Sequence, residues 1–153
     1  MKSAPLSPEQ IPHSFEAEAA VLGCLFLAAQ VSEADKIIKD TLDVLGPQAF
    51  FSPRHRKIFD AIHAVALDGL SPDLVTVTDH LLTGGNLEAA GGPAYITEIV
   101  GGVFSVELLP QYLTIVRRNW AGRRLQELGT HLVNEGGQDP ESLQSLARET
   151  LDG

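Results

Sequence analysis

Apolar positions along this chain recur at steps of three and four between glycine and proline breaks, the signature of amphipathic helices. Ser14 is placed to cap a helix running to about Ala29, with Glu16 and Glu18 in its first turns; Phe15, Val21, Leu22, Leu25 and Phe26 mark two adjacent apolar faces, so it is expected to be largely buried. Ser32 with Asp35 predicts a capping box for a second helix through Ile37, Ile38, Leu42 and Leu45, ended by Gly46-Pro47. Pro47 to Phe51 reads as a turn carrying two exposed or docking aromatics. Ser52-Pro53 opens a third helix with Ile58, Phe59, Ile62, Val65 and Ala66 inward, and Asp68-Gly69 closes it. Thr76 and Asp79 read as the capping pair of a fourth helix through Val77, Leu81 and Leu82, ended by Gly84-Gly85. The LVTV segment there is strand-like in composition, but it is short and has no partner strand, so it is read as helix. Leu87–Ala90 makes a turn, and Pro93 starts a helix through Tyr95, Ile96, Ile99 and Val100 that Gly101-Gly102 stops.

The longest run without a strong breaker is Ser105 to Leu132, read as one helix around which the rest is arranged, with Pro110 in or beside its first turn. Leu109, Leu113, Val116 and Trp120 make an apolar stripe; Ala121, Leu125, Leu128 and Leu132 repeat it one residue later, so the stripe drifts around the axis and asks for more than one partner. Gly122 and Gly129, seven apart, are read as points where another backbone comes close. At about 1.5 Å per residue the helix exceeds about 35 Å, so part of it is expected to project. Gly136-Gly137 breaks it, and Asp139-Pro140 caps a last helix with Leu143, Leu146, Ala147, Thr150 and Leu151 on one side, which predicts an antiparallel hairpin. The fold expected is all-α: a flexible arm over 1–11, a helical head of about six helices over 12–103, and a helical hairpin over 104–153. The stripe is still running at Gly153, which suggests a piece of a longer protein.

Composition narrows the function more by exclusion than by pointing. A hydrophobic share of 44% suffices for a core, and a formal net charge of −9 argues against a strong generic grip on phosphate backbones. Basic residues gather at Arg54–Lys57 and in the pairs Arg117-Arg118 and Arg123-Arg124; these read as solvated flanks of a packing helix, or as contacts to DNA or to a partner's acidic patch. The lone Cys24 lies among apolar residues and reads as a small core side chain. No run is long enough to span a bilayer and no secretory signal opens the chain, so a cytoplasmic location is expected. The Gly-Gly doublets fall at helix ends, and no glycine precedes a lysine, so there is no Walker A loop. His13, His55, His63, His80 and His131 lack ligand spacing, and no G-x-S-x-G elbow supports a hydrolase. Neither a catalytic centre nor a cofactor or metal site is expected.

Taken in order, Pro12-His13-Ser14-Phe15-Glu16-Ala17-Glu18 with Val21-Leu22-Gly23 and Leu25, Phe50-Phe51 with His55, Ile58-Phe59 and Ala61-Ile62, Pro72-Asp73 with Val75-Thr76, Gly85, Leu87-Glu88, Gly91-Gly92, Ala94-Tyr95, Tyr112, Ile115-Val116-Arg117 and Arg123-Arg124-Leu125 resemble the N-terminal domain of bacterial DnaB-type replicative helicases. The likeness runs from Pro12 to about Leu151. The segment Phe104–Pro110 departs from the family's usual start of the long helix, and Cys24-Leu25-Phe26 is an unusual filling of the first helix.

The resemblance implies a helical head and hairpin ahead of a motor domain that would carry the ATP and Mg sites, absent from this chain. It also implies pairing into dimers, a trimer of dimers in a hexameric ring, docking of primase and of a helicase loader, and passage of single-stranded DNA through the parent ring. Such a protein works in the cytoplasm, at the nucleoid during replication. On this reading Leu113, Val116, Trp120, Gly122, Leu125 and Gly129 form the self-association interface, and Arg117, Arg118, Arg123 and Arg124 contact a partner or DNA. The alternative is a free-standing helical adaptor or helicase-loading regulator without a motor.

Overall fold

The computed structural model describes residues 11–31, 33–134 and 148–149, and all regular structure among them is helical. In chain order these are α1 (Phe15–Ala28), α2 (Ala34–Val44), a 3-10 turn (Pro47–Ala49), α3 (Pro53–Leu67), α4 (Leu74–Thr83), α5 (Gly92–Gly101) and α6 (Leu109–Asn134). They divide into two compact units, Ser14–Arg117 and the described parts of Met1–His13 with Arg118–Gly153, the boundary falling inside α6.

The larger unit is organised around α1, not around the long helix. Val21, Leu22, Cys24, Leu25, Phe26 and Ala28 are all buried, because α1 packs against α2, α3 and α5 at once and so has no solvent face over most of its length. The Ser14 side chain accepts from the Ala17 amide at 3.1 Å, as its position ahead of the apolar run predicts. Gly23 sets how closely α5 approaches: a Cβ there would lie 2.4 Å from Val103 Cγ2 and 2.8 Å from the Ile99 carbonyl oxygen.

Three helix starts differ from the sequence reading. The cap of α4 is Asp73, whose carboxylate accepts from Thr76 N at 2.8 Å while the Thr76 hydroxyl accepts from Asp73 N at 3.0 Å. That reciprocal box satisfies two donors, and burial of Val77 and Leu81 then outweighs the β-branched composition of LVTV. The cap of α2 is Glu33, without a side-chain cap bond; Ser32 lies outside the described residues. Helix α6 begins at Leu109 rather than Ser105. Ahead of it the Ser105 carbonyl accepts from Cys24 Sγ at 3.7 Å and its hydroxyl accepts from Glu107 N at 3.1 Å, which ties this segment down short of the helix.

The ends follow the glycines. In α3 the chain leaves through Gly69 at φ +76°, with Gly69 N donating to Ala66 and Leu70 N to Val65; α4 leaves through Gly85 at φ +73° in the same arrangement. The aromatic pair after the 3-10 turn is not exposed: Phe50 is fully buried against Phe59, ring centroids 5.0 Å apart, and Phe51 is half-buried. The turn faces it into the core between α1 and α3. The expected break at Gly136-Gly137, the final helix capped by Asp139-Pro140 and the arm over 1–11 lie outside the described residues, except that Ile11 is described and Arg148 and Glu149 are helical.

Candidate functional site

Within the larger unit a polar cluster sits in apolar surroundings. Glu18 is 2% exposed and its carboxylate takes three donors: Phe51 N on Oε2 at 2.7 Å, Ser52 N on Oε1 at 3.1 Å and His55 Nδ1 on Oε1 at 2.8 Å. Helix α1 delivers the carboxylate to the two amides at the unsatisfied N-terminus of α3, where backbone donors and the helix dipole favour an anion. The His55 ring bridges onward: Nδ1 faces the Glu18 carboxylate and Nε2 lies 2.6 Å from the Tyr95 hydroxyl on α5. One line of hydrogen bonds thus ties α1, α3 and α5. Arg54 lies over the Tyr95 ring at 5.2 Å, and Arg56 Nε donates to the Phe50 carbonyl at 2.7 Å. Burial raises the Tyr95 phenol above its ordinary value, against the opposing pull of Arg54. Burial likewise pushes the Cys24 thiol up to about 11, which leaves it a protonated core side chain.

The sequence pattern reads Glu18 as a first-turn acid, His55 as a histidine without ligand spacing and Tyr95 as a position on the fifth helix, and does not join them. The available signal was a glutamate one turn before Val21 and Leu22 on a helix apolar all round, which had to be paired to be buried. Among the described residues, no group of three or more His, Cys, Asp or Glu is arranged to hold a metal, and no helix is long and apolar enough to cross a membrane.

The residues expected to self-associate do not share one face. At about 3.6 residues per turn, Leu113, Val116 and Trp120 lie on one side of α6 and Gly122, Leu125 and Gly129 on the other. The first side is covered by the chain itself: Leu109 and Val116 are buried, and Leu113 and Trp120 half-buried. On the second side Leu125 and Val133 are 53% and 60% exposed, and no described residue lies within 4 Å of where a Gly129 Cβ would stand. Gly122 does admit a close neighbour, but it is Pro12 of the same chain, 3.3 Å from the added Cβ.

The four arginines separate similarly. Arg123 is buried and Nη1 donates to the Pro12 carbonyl at 2.9 Å, which commits it to the chain's own packing rather than to an outside ligand. Arg124 stacks over Trp120 at 5.1 Å and donates to the Glu149 carbonyl, whereas Arg117 and Arg118 are exposed.

The arrangement defines a helical module: a head locked by a buried polar cluster, and a long helix with an open apolar side. Residues 10–118 match the family model of the DnaB-like helicase N terminal domain, and the chain belongs to that family. It is 37% identical over 127 residues to the replicative DNA helicase DnaB of Geobacillus stearothermophilus, covering 82% of this chain and 26% of that protein. To the replicative DNA helicase DnaC of Bacillus subtilis it is 32% identical over 138 residues, covering 90% and 29%. The chain therefore spans between a quarter and a third of the length of these relatives. The crystal structure of the N-terminal domain of DnaB helicase from Mycobacterium tuberculosis superposes with a TM-score of 0.78 at 32% identity, over 94% of this chain and 100% of that one. A DnaB-like replicative helicase whose structure was determined for its interactions with primase shares the fold, with a TM-score of 0.70 at 21% identity, over 88% and 30%.

Proposed function

We propose that this chain is the collar domain of a hexameric replicative DNA helicase, which assembles the ring and docks primase and the helicase loader while doing no chemistry itself. The observation that carries the reading is the open side of α6, where Leu125 and Val133 are exposed around a Gly129 that no described residue approaches. A helix normally covers such a side with another subunit, and a small residue lets the second backbone approach. Family membership supplies the context. Dimers formed through this side would close as a trimer of dimers around single-stranded DNA. On this reading the unwinding activity would belong to the whole protein, with ATP and Mg held by a motor domain beyond the segment matched here. Division of the whole chain into an arm (1–11), a head (12–103) and a hairpin (104–153) is part of the same proposal, as is a place in the cytoplasm at the replicating nucleoid.

Sedimentation velocity tests the assembly step. Leu125→Asp and Gly129→Leu are each expected to shift the chain from dimer or larger toward monomer, with the helical circular dichroism unchanged. An unaltered mass distribution in both variants, or a wild-type chain that stays monomeric at all concentrations, overturns the reading. Co-sedimentation with primase, with and without Arg117→Glu and Arg118→Glu, tests the docking role.

A further inference from the structure

A groove of about 690 Å³ lies between α2 and the C-terminal end of α3, and nothing so far uses it. Its floor is Ile38, Leu42, Ala66 and Pro72; one wall carries Leu67 and Leu70, 75% and 57% exposed. We propose that this groove docks an amphipathic helix of a different protein, one whose leucine face is flanked by residues running basic, acidic, basic at four-residue spacing.

Two observations support an occupant of that chemistry. First, the leucine wall is held open. Gly69 turns the chain in the left-handed region, Leu70 N donates to the Val65 carbonyl, and the Ser71 hydroxyl donates to the Ala29 carbonyl while the Ser71 carbonyl accepts from Thr76 Oγ1 at 2.7 Å. Leu67 and Leu70 therefore stand in solvent on a fixed backbone, and little ordering is left for a ligand to impose. Second, the facing rim is coded. Asp35, Lys39 and Asp43 follow one another at four-residue steps along α2, so they form one line of charges, acidic, basic, acidic. Their neighbours Lys36 and Asp40 neutralise each other at 2.8 Å, whereas Asp35, Lys39 and Asp43 make no ion pair among the described residues. A helix running basic, acidic, basic meets all three charges favourably, and one with every sign inverted meets three repulsions in the same register. The net charge of −9 steers a basic partner toward the surface before these contacts form.

A second copy of this chain does not fit the code. The sequence holds one stretch with basic, acidic and basic residues at that spacing, Arg123, Glu127 and His131, and its Arg123 is buried on the Pro12 carbonyl. The groove shares no residue with the open side of α6, so its test stands apart from that of the assembly reading.

The test uses a fluorescein-labelled helical peptide with leucines along one face and Arg, Glu and Arg at four-residue steps beside it. Its control keeps the leucines and carries Glu, Arg and Glu. Anisotropy titrations against the 153-residue chain are expected to favour the first peptide by about tenfold. The double variant Leu67→Asp/Leu70→Asp, at two exposed positions, should lose most of that binding with its circular dichroism unchanged. A chain carrying Asp35→Arg, Lys39→Glu and Asp43→Arg should prefer the control peptide. Equal binding of both peptides, or binding undiminished in the leucine variant, overturns the proposal. So does a fall in sedimenting mass in the leucine variant, which would make the groove an interface between copies.

Discussion

The head and the distal half of α6 handle apolar and polar surface in opposite ways. In the head, α1 is covered over most of its length, and its one buried carboxylate has three donors. Beyond Arg118, the helix leaves Leu125 and Val133 uncovered and spends its arginines on the chain's own carbonyls and an indole ring. The difference separates two jobs. A closed region sets stability and shape, and an open one is free to bind because the fold does not depend on it. Substitutions in the first should cost stability, while those in the second should change association at nearly constant stability.

The largest effect is expected at Glu18. Glu18→Ala strands two backbone amides and the His55 Nδ1 hydrogen in a site without water access, and should cost about 4 kcal/mol in denaturant unfolding. Glu18→Gln keeps one acceptor oxygen and should lose about half as much. If Glu18→Ala unfolds at the wild-type midpoint, the polar cluster is not what closes the head.

Next comes the contact that lets α5 lie on α1. Gly23→Ala places a Cβ 2.8 Å from a backbone carbonyl and closer still to Val103, so the helices must move apart at a cost of about 2 kcal/mol. Combining it with Val103→Ala should recover only part of the loss, because the Ile99 carbonyl remains in the way. Full recovery would mean that the side chain alone sets the approach.

Tyr95→Phe removes the outer end of the hydrogen-bond line and should cost about 1 kcal/mol at neutral pH. The pH dependence carries more information. Burial raises the folded phenol above its ordinary value near 10, so above that pH the folded state holds a proton the unfolded chain has released. Wild-type stability should therefore fall as pH rises through the unfolded tyrosine range and toward the raised folded value. In Tyr95→Phe that part of the fall should be missing, with the slope from Cys24 between about 9 and about 11 retained. Parallel wild-type and variant profiles would remove the phenol from the account.

Much of the head was legible because its signals are local. Ser14 as a cap, Pro53 at the start of α3 and the glycines after α3, α4 and α5 each act within one turn, so the spacing of residues was enough to place them. What failed depended on partners distant in sequence. Phe50 reads as exposed or docking because nothing local says that the chain beside it turns inward, and Glu18, His55 and Tyr95 are separated by 37 and 40 residues. The stripe on α6 misled for a different reason. A drifting apolar pattern is the sum of two opposite faces, and only the fold says that Val116 belongs to the covered one and Leu125 to the open one.

The smallest expected effect has the opposite sign. Among the described residues Thr78, on α4, has a buried hydroxyl oxygen with no hydrogen-bond partner, a side-chain polar atom that the packing does not satisfy. Thr78→Val replaces that hydroxyl with a methyl of similar size and keeps the β-branched shape, removing a desolvation penalty at little cost in helix propensity. The expected gain is about 0.5–1 kcal/mol, read as a higher denaturant midpoint with an unchanged slope. Sedimenting mass should stay the same, because the change lies inside the closed region. A loss of stability would mean that the hydroxyl does find a partner in solution, and the head would then have a second polar cluster beside the one built on Glu18.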